Sequence, residues 1–184
     1  VVTHVLEVIQ RRAAADDPAV FFVKLSLQTL NDPETGEWIG RCLTEAGVEG
    51  RQLVFEFNEA DVVTSMRLAS ELSRRLHAFG CGIALEHFGA APGAVQLLTH
   101  LQVDYVKLDG GLVHAIARRA DARQRLRDLL DQAAAAGVQV IAGFVEDAEN
   151  LAELWRSGVQ FIQGNFLQEP DSSLSFDFRD ELVE

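Results

Sequence analysis

The sequence predicts an α/β fold arranged as a TIM-like (β/α) barrel, and three observations carry that expectation. Short apolar runs rich in β-branched and aromatic residues alternate with stretches of helical periodicity. The runs are almost continuously hydrophobic, as strands covered by helices on both faces are. Helical stretches close on Gly47, Gly80, Gly137 and Gly158, where a left-handed residue turns the chain into the next run. Right-handed crossovers between parallel strands follow. Six βα units of ~25–30 residues extrapolate to ~250 residues for eight, the usual barrel size. This chain has 184 residues and opens on a helix. The expectation is therefore one domain over residues 1–184, with the first one or two strands of the barrel missing from it.

The elements follow in order. An opening helix is predicted from about His4 to Ala14. Strands are predicted at Val20 to Leu25, Leu53 to Phe57, Gly82 to Leu85, Tyr105 to Leu108, Val138 to Ala142 and Gln160 to Ile162. Helices fill the gaps at Glu37 to Ala46, Val62 to Phe79, Ala94 to His100, Ala122 to Ala136 and Ala148 to Ser157. No shift in composition marks a second domain, and no internal repeat is visible.

Composition narrows the function classes. The net charge of −12 argues against a nucleic-acid polymer or an anionic membrane as partner, because a phosphate surface is held by Lys and Arg. It leaves open a small phosphorylated ligand in one pocket. The longest apolar run falls far short of the ~18 residues that span a bilayer. No basic segment followed by an apolar one opens the chain, so the expectation is a cytoplasmic protein. Cys42 and Cys81 lie in apolar periodic segments and read as buried thiols.

In a βα barrel the chemistry gathers where strands end and βα loops begin. Those positions hold Lys24 and Ser26; Glu56, Asn58 and Glu59; Glu86 and His87; Lys107 and Asp109; Gly143, Phe144 and Glu146; Gln163 and Asn165. Ionic groups at a low-dielectric rim are costly unless used. Phe144 offers a flat face on which a purine could stack, and Glu146 could accept from the N1–H and N2–H₂ edge of a guanine; the lesser alternative is that Phe144 is a rim core residue. Gln163 could orient a base or phosphate through its amide, and Pro170 could form an apolar wall. Lys107 could face a phosphate or pair with Glu56. A mixed site of His87, Glu86 and Glu56 for a transition metal is weakened because neighbours on a strand point to opposite sides. His4, His77, His100 and His114 lie on helices without partners at metal spacing.

Six segments in order resemble one family. "VKLSLQTL" at Val23 to Leu30 is similar to the Asn-Leu-Ser strand of EAL domains, "LVFEFNE" at Leu53 to Glu59 to their Glu-Ile-Thr-Glu strand, and "IALEHFG" at Ile83 to Gly89 to their Asp-Asp-Phe-Gly segment. "VDYVKLDGGLV" at Val103 to Val113, "VIAGFVEDAENL" at Val140 to Leu151 and "QGNFLQEP" at Gln163 to Pro170 resemble the Val-Asp-x-Leu-Lys-Ile-Asp, Ala-Glu-Gly-Val-Glu and Gln-Gly-Tyr-Leu-x-x-x-Pro stretches. EAL domains are bacterial signalling barrels that bind cyclic di-GMP and, when active, hydrolyse it with two divalent metals. The resemblance implies a metal site built from the motif Glu, the Asn of Asn-Leu-Ser, the Glu of Glu-Ile-Thr and the paired aspartates, with a further Glu organising the water.

This sequence departs from that set. The motif strand is not among its residues, the Asn position is Lys24, the Asp-Asp pair is Glu86-His87, and the Ala-Glu-Gly position is Gly143. Glu56, Lys107 and Gln163 match. Lys24 brings an ammonium, with three donors and no acceptor, to a place where metals need oxygen, and Gly143 removes a carboxylate. The expectation is a degenerate site of Lys24, Glu56, Glu86 and His87 that needs no metal and no cofactor, and no catalytic residue. Binding of cyclic di-GMP would then rest on Phe144, Glu146, Gln163, Pro170, Lys107, Asp109 and Gly143. With Gly-Phe-Val-Glu at 143–146, the chain looks most like the FimX group of inactive EAL domains, which follow upstream signalling domains, contact a PilZ-type partner, and regulate type IV pili and twitching motility. A weakly active phosphodiesterase and a ligand-free interaction module are the alternatives.

Overall fold

The computed structural model describes residues 1–90 and 93–167. Parallel pairing runs without a break through β1 (Phe21–Lys24), β2 (Leu53–Asn58), β3 (Gly82–Phe88), β4 (Tyr105–Leu108), β5 (Gln139–Ala142) and β6 (Phe161–Ile162). The strands follow chain order, so each crossover is a single βα step and all strand carboxyl ends emerge on one side. In a flat sheet β1 and β4 would stand about 14 Å apart, three intervals of ~4.8 Å. Instead the rings of Phe22 on β1 and Tyr105 on β4 meet edge to face at 5.3 Å, and Tyr105 reaches Phe161 on β6 at 6.5 Å. The sheet is thus curled into the wall of a barrel, as predicted.

The helices coat this wall: α1 (Val2–Ala14), α2 (Leu27–Asn31), α3 (Thr35–Ala46), α4 (Glu59–Thr64), α5 (Met66–Ala78), α6 (Ala94–His100), α7 (Gly110–Ala115), α8 (Ala120–Ala136) and α9 (Ala148–Arg156). Leu53, Phe55 and Phe57 of β2, Ile83, Leu85 and Phe88 of β3, and Leu76 of α5 are fully enclosed in the layer between sheet and helices. Gly50 and Gly40 permit the close approach of Phe79 at the foot of α5, where a Cβ would collide with it. Among the described residues no helix is long and apolar enough to cross a membrane.

Most predicted boundaries hold within two residues, and the exceptions have local causes. Ser26 accepts a hydrogen bond from Thr29 N and caps the unpredicted α2. Asp109 does the same for α7 by accepting from Gly111 N. Both helices are too short to display a period. The single helix predicted over 62–79 is two: Asn58 accepts from Ala60 N and starts α4 directly at the strand end, and the backbone breaks at Ser65 after the β-branched run Val62, Val63 and Thr64. β3 runs beyond its predicted end at Leu85 to Phe88, with a shift of register on the way.

Candidate functional site

Four ionic groups converge at the mouth of the curled sheet. Lys24 ends β1 opposite Glu56 of β2, and Asn58 of β2 stands opposite Glu86 of β3. The curl brings Lys24 Nζ past β2 to 2.6 Å from Glu86 Oε2, while Lys107 of β4 pairs with Glu56 Oε1 across β3. Glu56 is only 5% exposed. Apart from these ammonium groups, neither Glu56 Oε1 nor Glu86 Oε2 has a hydrogen-bond partner among the described residues, so the two lysines alone compensate their burial. Desolvation pushes the Glu56 carboxyl above its ordinary value, against the pull of Lys107 and with the added push of nearby Glu86. The bond to Glu86 raises Lys24 in turn.

Beside this network lies a cleft of about 200 Å³ lined by Glu86, His87, Lys107, Leu108, Gly143, Phe144, Glu146, Gln163, Gly164 and Asn165. Phe144 is 51% exposed, and its backbone adopts a left-handed φ of 59°. His87 does the same at 58°. Such conformations are uncommon outside glycine and cost of order 1–3 kcal/mol each, which the surroundings must offset. For the 143–146 loop those surroundings are clear. Gln163 N donates to Ala142 O at 2.8 Å, Val145 N to Gln163 O at 3.2 Å and Phe166 N to Val145 O at 3.1 Å. Gly164 packs so tightly on the Val145 backbone that a Cβ would collide with it.

The structure therefore unites Glu86, His87, Lys107, Gly143, Phe144, Glu146 and Gln163 around one opening, with Glu56 and Lys24 in the ionic network next to it. Pro170 lies outside the described residues. Asp109 is a brace: Oδ1 accepts from Gly111 N and Oδ2 stands 3.5 Å from His87 Nδ1. One expectation needs correction. Glu86 and His87 do not diverge as strand neighbours should, because the positive φ at His87 and the register shift in β3 turn both into the cleft. His77 takes a structural role, its Nε2 lying 2.9 Å from Asp104 Oδ2, which also accepts from Ile83 N. Among the described residues no three His, Cys, Asp or Glu side chains group as a metal site.

Sequence reasoning gave no role to Glu59 and missed Arg125. Glu59 is buried and accepts from Gly89 N at 2.9 Å, while Arg125 of α8 donates to Gly89 O. Together they pin the turn that follows Glu86 and His87. A carboxylate next to a strand end marks Glu59 as a candidate; Arg125 had no signal, because its reach from α8 depends on tertiary packing.

A curled parallel sheet with a charged, aromatic-edged mouth at its strand carboxyl ends places the molecule among βα-barrel proteins. More narrowly, the chain belongs to the EAL domain family, whose model matches residues 1–170. It is similar to the FimX EAL domain of Pseudomonas aeruginosa bound to cyclic di-GMP, with 32% identity and a TM-score of 0.86 over 95% of this chain and 71% of that one. The Xanthomonas citri FimX EAL domain in complex with cyclic di-GMP aligns at 28% identity and a TM-score of 0.90, over 96% of this chain and 70% of that one. In sequence it is 27% identical to the cyclic di-GMP phosphodiesterase PdeB of Shewanella oneidensis over 84% of its length. It spans only 18% of that relative.

Proposed function

We propose that this domain is a cyclic di-GMP receptor that holds the dinucleotide without cutting it and passes the signal to protein partners, a PilZ-type protein among them, that control type IV pili and twitching motility. The observation that carries the reading is the Lys24–Glu86 pair at 2.6 Å. A two-metal site sets two cations ~3.5–4 Å apart among several oxygen ligands. Here the two carboxylates are already balanced by two ammonium groups, and Gly143 offers no side-chain oxygen. Such a donor set does not suit two divalent ions. The likeness to FimX EAL domains in complex with cyclic di-GMP supports the ligand class.

What remains at the mouth suits a guanine nucleotide. Phe144 presents an exposed ring, Glu146 a carboxylate two residues on, Gln163 an amide and Lys107 a cation. Titration calorimetry with cyclic di-GMP in the presence of a chelator is expected to show binding. Phe144→Ala is expected to weaken it by ~1–3 kcal/mol, the usual worth of one stacked base. Metal-dependent formation of linear pGpG would replace this reading with a working phosphodiesterase. Absence of heat and of any melting shift at large ligand excess would leave an interaction module without the ligand.

A further inference from the structure

We infer that His87 is the second plate of a base-binding slot, lying across the cleft from Phe144 so that one purine of the ligand is held between the two rings; this rests on the receptor reading above. His87 is the last but one residue of β3 and Phe144 follows β5, on either side of β4. Their rings are stacked with centroids 6.3 Å apart and planes 29° from parallel, and both line the same opening. A flat base in contact with both faces needs about 7 Å, two van der Waals separations of ~3.5 Å, so a small opening of the pair admits it.

The end of β4 seats both plates. Asp109 Oδ2 lies 3.5 Å from His87 Nδ1. The next residue, Gly110, supports the other ring, because a Cβ there would stand 3.0 and 3.2 Å from Phe144 Cδ2 and Cγ. Both plates also hold left-handed backbones, φ 58° and 59°, a conformation that asparagine tolerates better than most residues. Two strained residues facing one another from the ends of separate βα units point to a shared task.

The test uses His87→Asn, which suits the left-handed backbone and keeps a donor for Asp109 while removing the ring, beside His87→Phe, which restores a ring without the imidazole nitrogens. Calorimetry with cyclic di-GMP is expected to show His87→Asn binding about 5- to 150-fold more weakly, the equivalent of one stacked base, and His87→Phe within about threefold of the wild type. The ring protons of His87, assigned by their loss in His87→Asn, are expected to move upfield in the NMR spectrum when ligand is added. Wild-type binding that His87→Asn leaves unchanged, with unmoved His87 signals, would overturn the slot alone. No binding by the wild type would overturn the receptor reading and the slot together.

Discussion

Replacing Lys107 by methionine keeps the length of the side chain but leaves the Glu56 carboxylate without its cation. Glu56 is 5% exposed and its Oε1 has no hydrogen-bond partner besides Lys107 among the described residues, so the remaining charge must be desolvated without compensation. Breaking a buried pair in this way costs about 3–5 kcal/mol. For a chain of this size each kcal/mol lowers Tm by ~2–4 °C, so the expected drop is roughly 6–20 °C. Its pH dependence carries a definite sign. Burial raises the Glu56 carboxyl above 4.5 in the folded protein; its contribution to stability is therefore complete below 4.5 and lost as pH rises through the folded value. Without Lys107 that folded value climbs further, so the deficit of Lys107→Met is expected to be wider at pH 8 than at pH 5. Urea denaturation of wild type and variant at both pH values measures it. Lys107→Met combined with Glu56→Gln is expected to recover most of the loss. A deficit under about 1 kcal/mol, or one equal at both pH values, would refute the account of the ion pair.

Two further outcomes test the core at the foot of β3 and the loop that carries Phe144. Burial pushes the Cys81 thiol up to about 12, so at pH 8 iodoacetamide is expected to leave it unmodified in the native protein, as read by mass spectrometry, and to label it on unfolding. Gly164→Ala thrusts a methyl into the Val145 backbone, which must displace the loop carrying Phe144 and Glu146. It is expected to lower Tm and to weaken cyclic di-GMP binding at least about fivefold, with one stacked base lost or misplaced; unchanged binding in a folded variant would show that the loop tolerates the shift.

The order of the strands and of the longer helices was written in periodicity and glycine punctuation, because each of them signals itself within its own few residues. The strand-end positions were legible too: once the strands were placed, Lys24, Glu56, Glu86, Lys107 and Phe144 had to share one rim. Short helices such as α2 and α7 escaped because their caps, Ser26 and Asp109, act through one hydrogen bond each and leave no period. Tertiary structure alone decided which ammonium meets which carboxylate. Lys24 skips its strand neighbour Glu56 for Glu86, and Lys107 crosses β3 to take Glu56, since the curl of the sheet shortens distances across strands that sequence separation cannot encode. It likewise set His87 facing Phe144, through two backbone dihedrals that side-chain identity would have argued against.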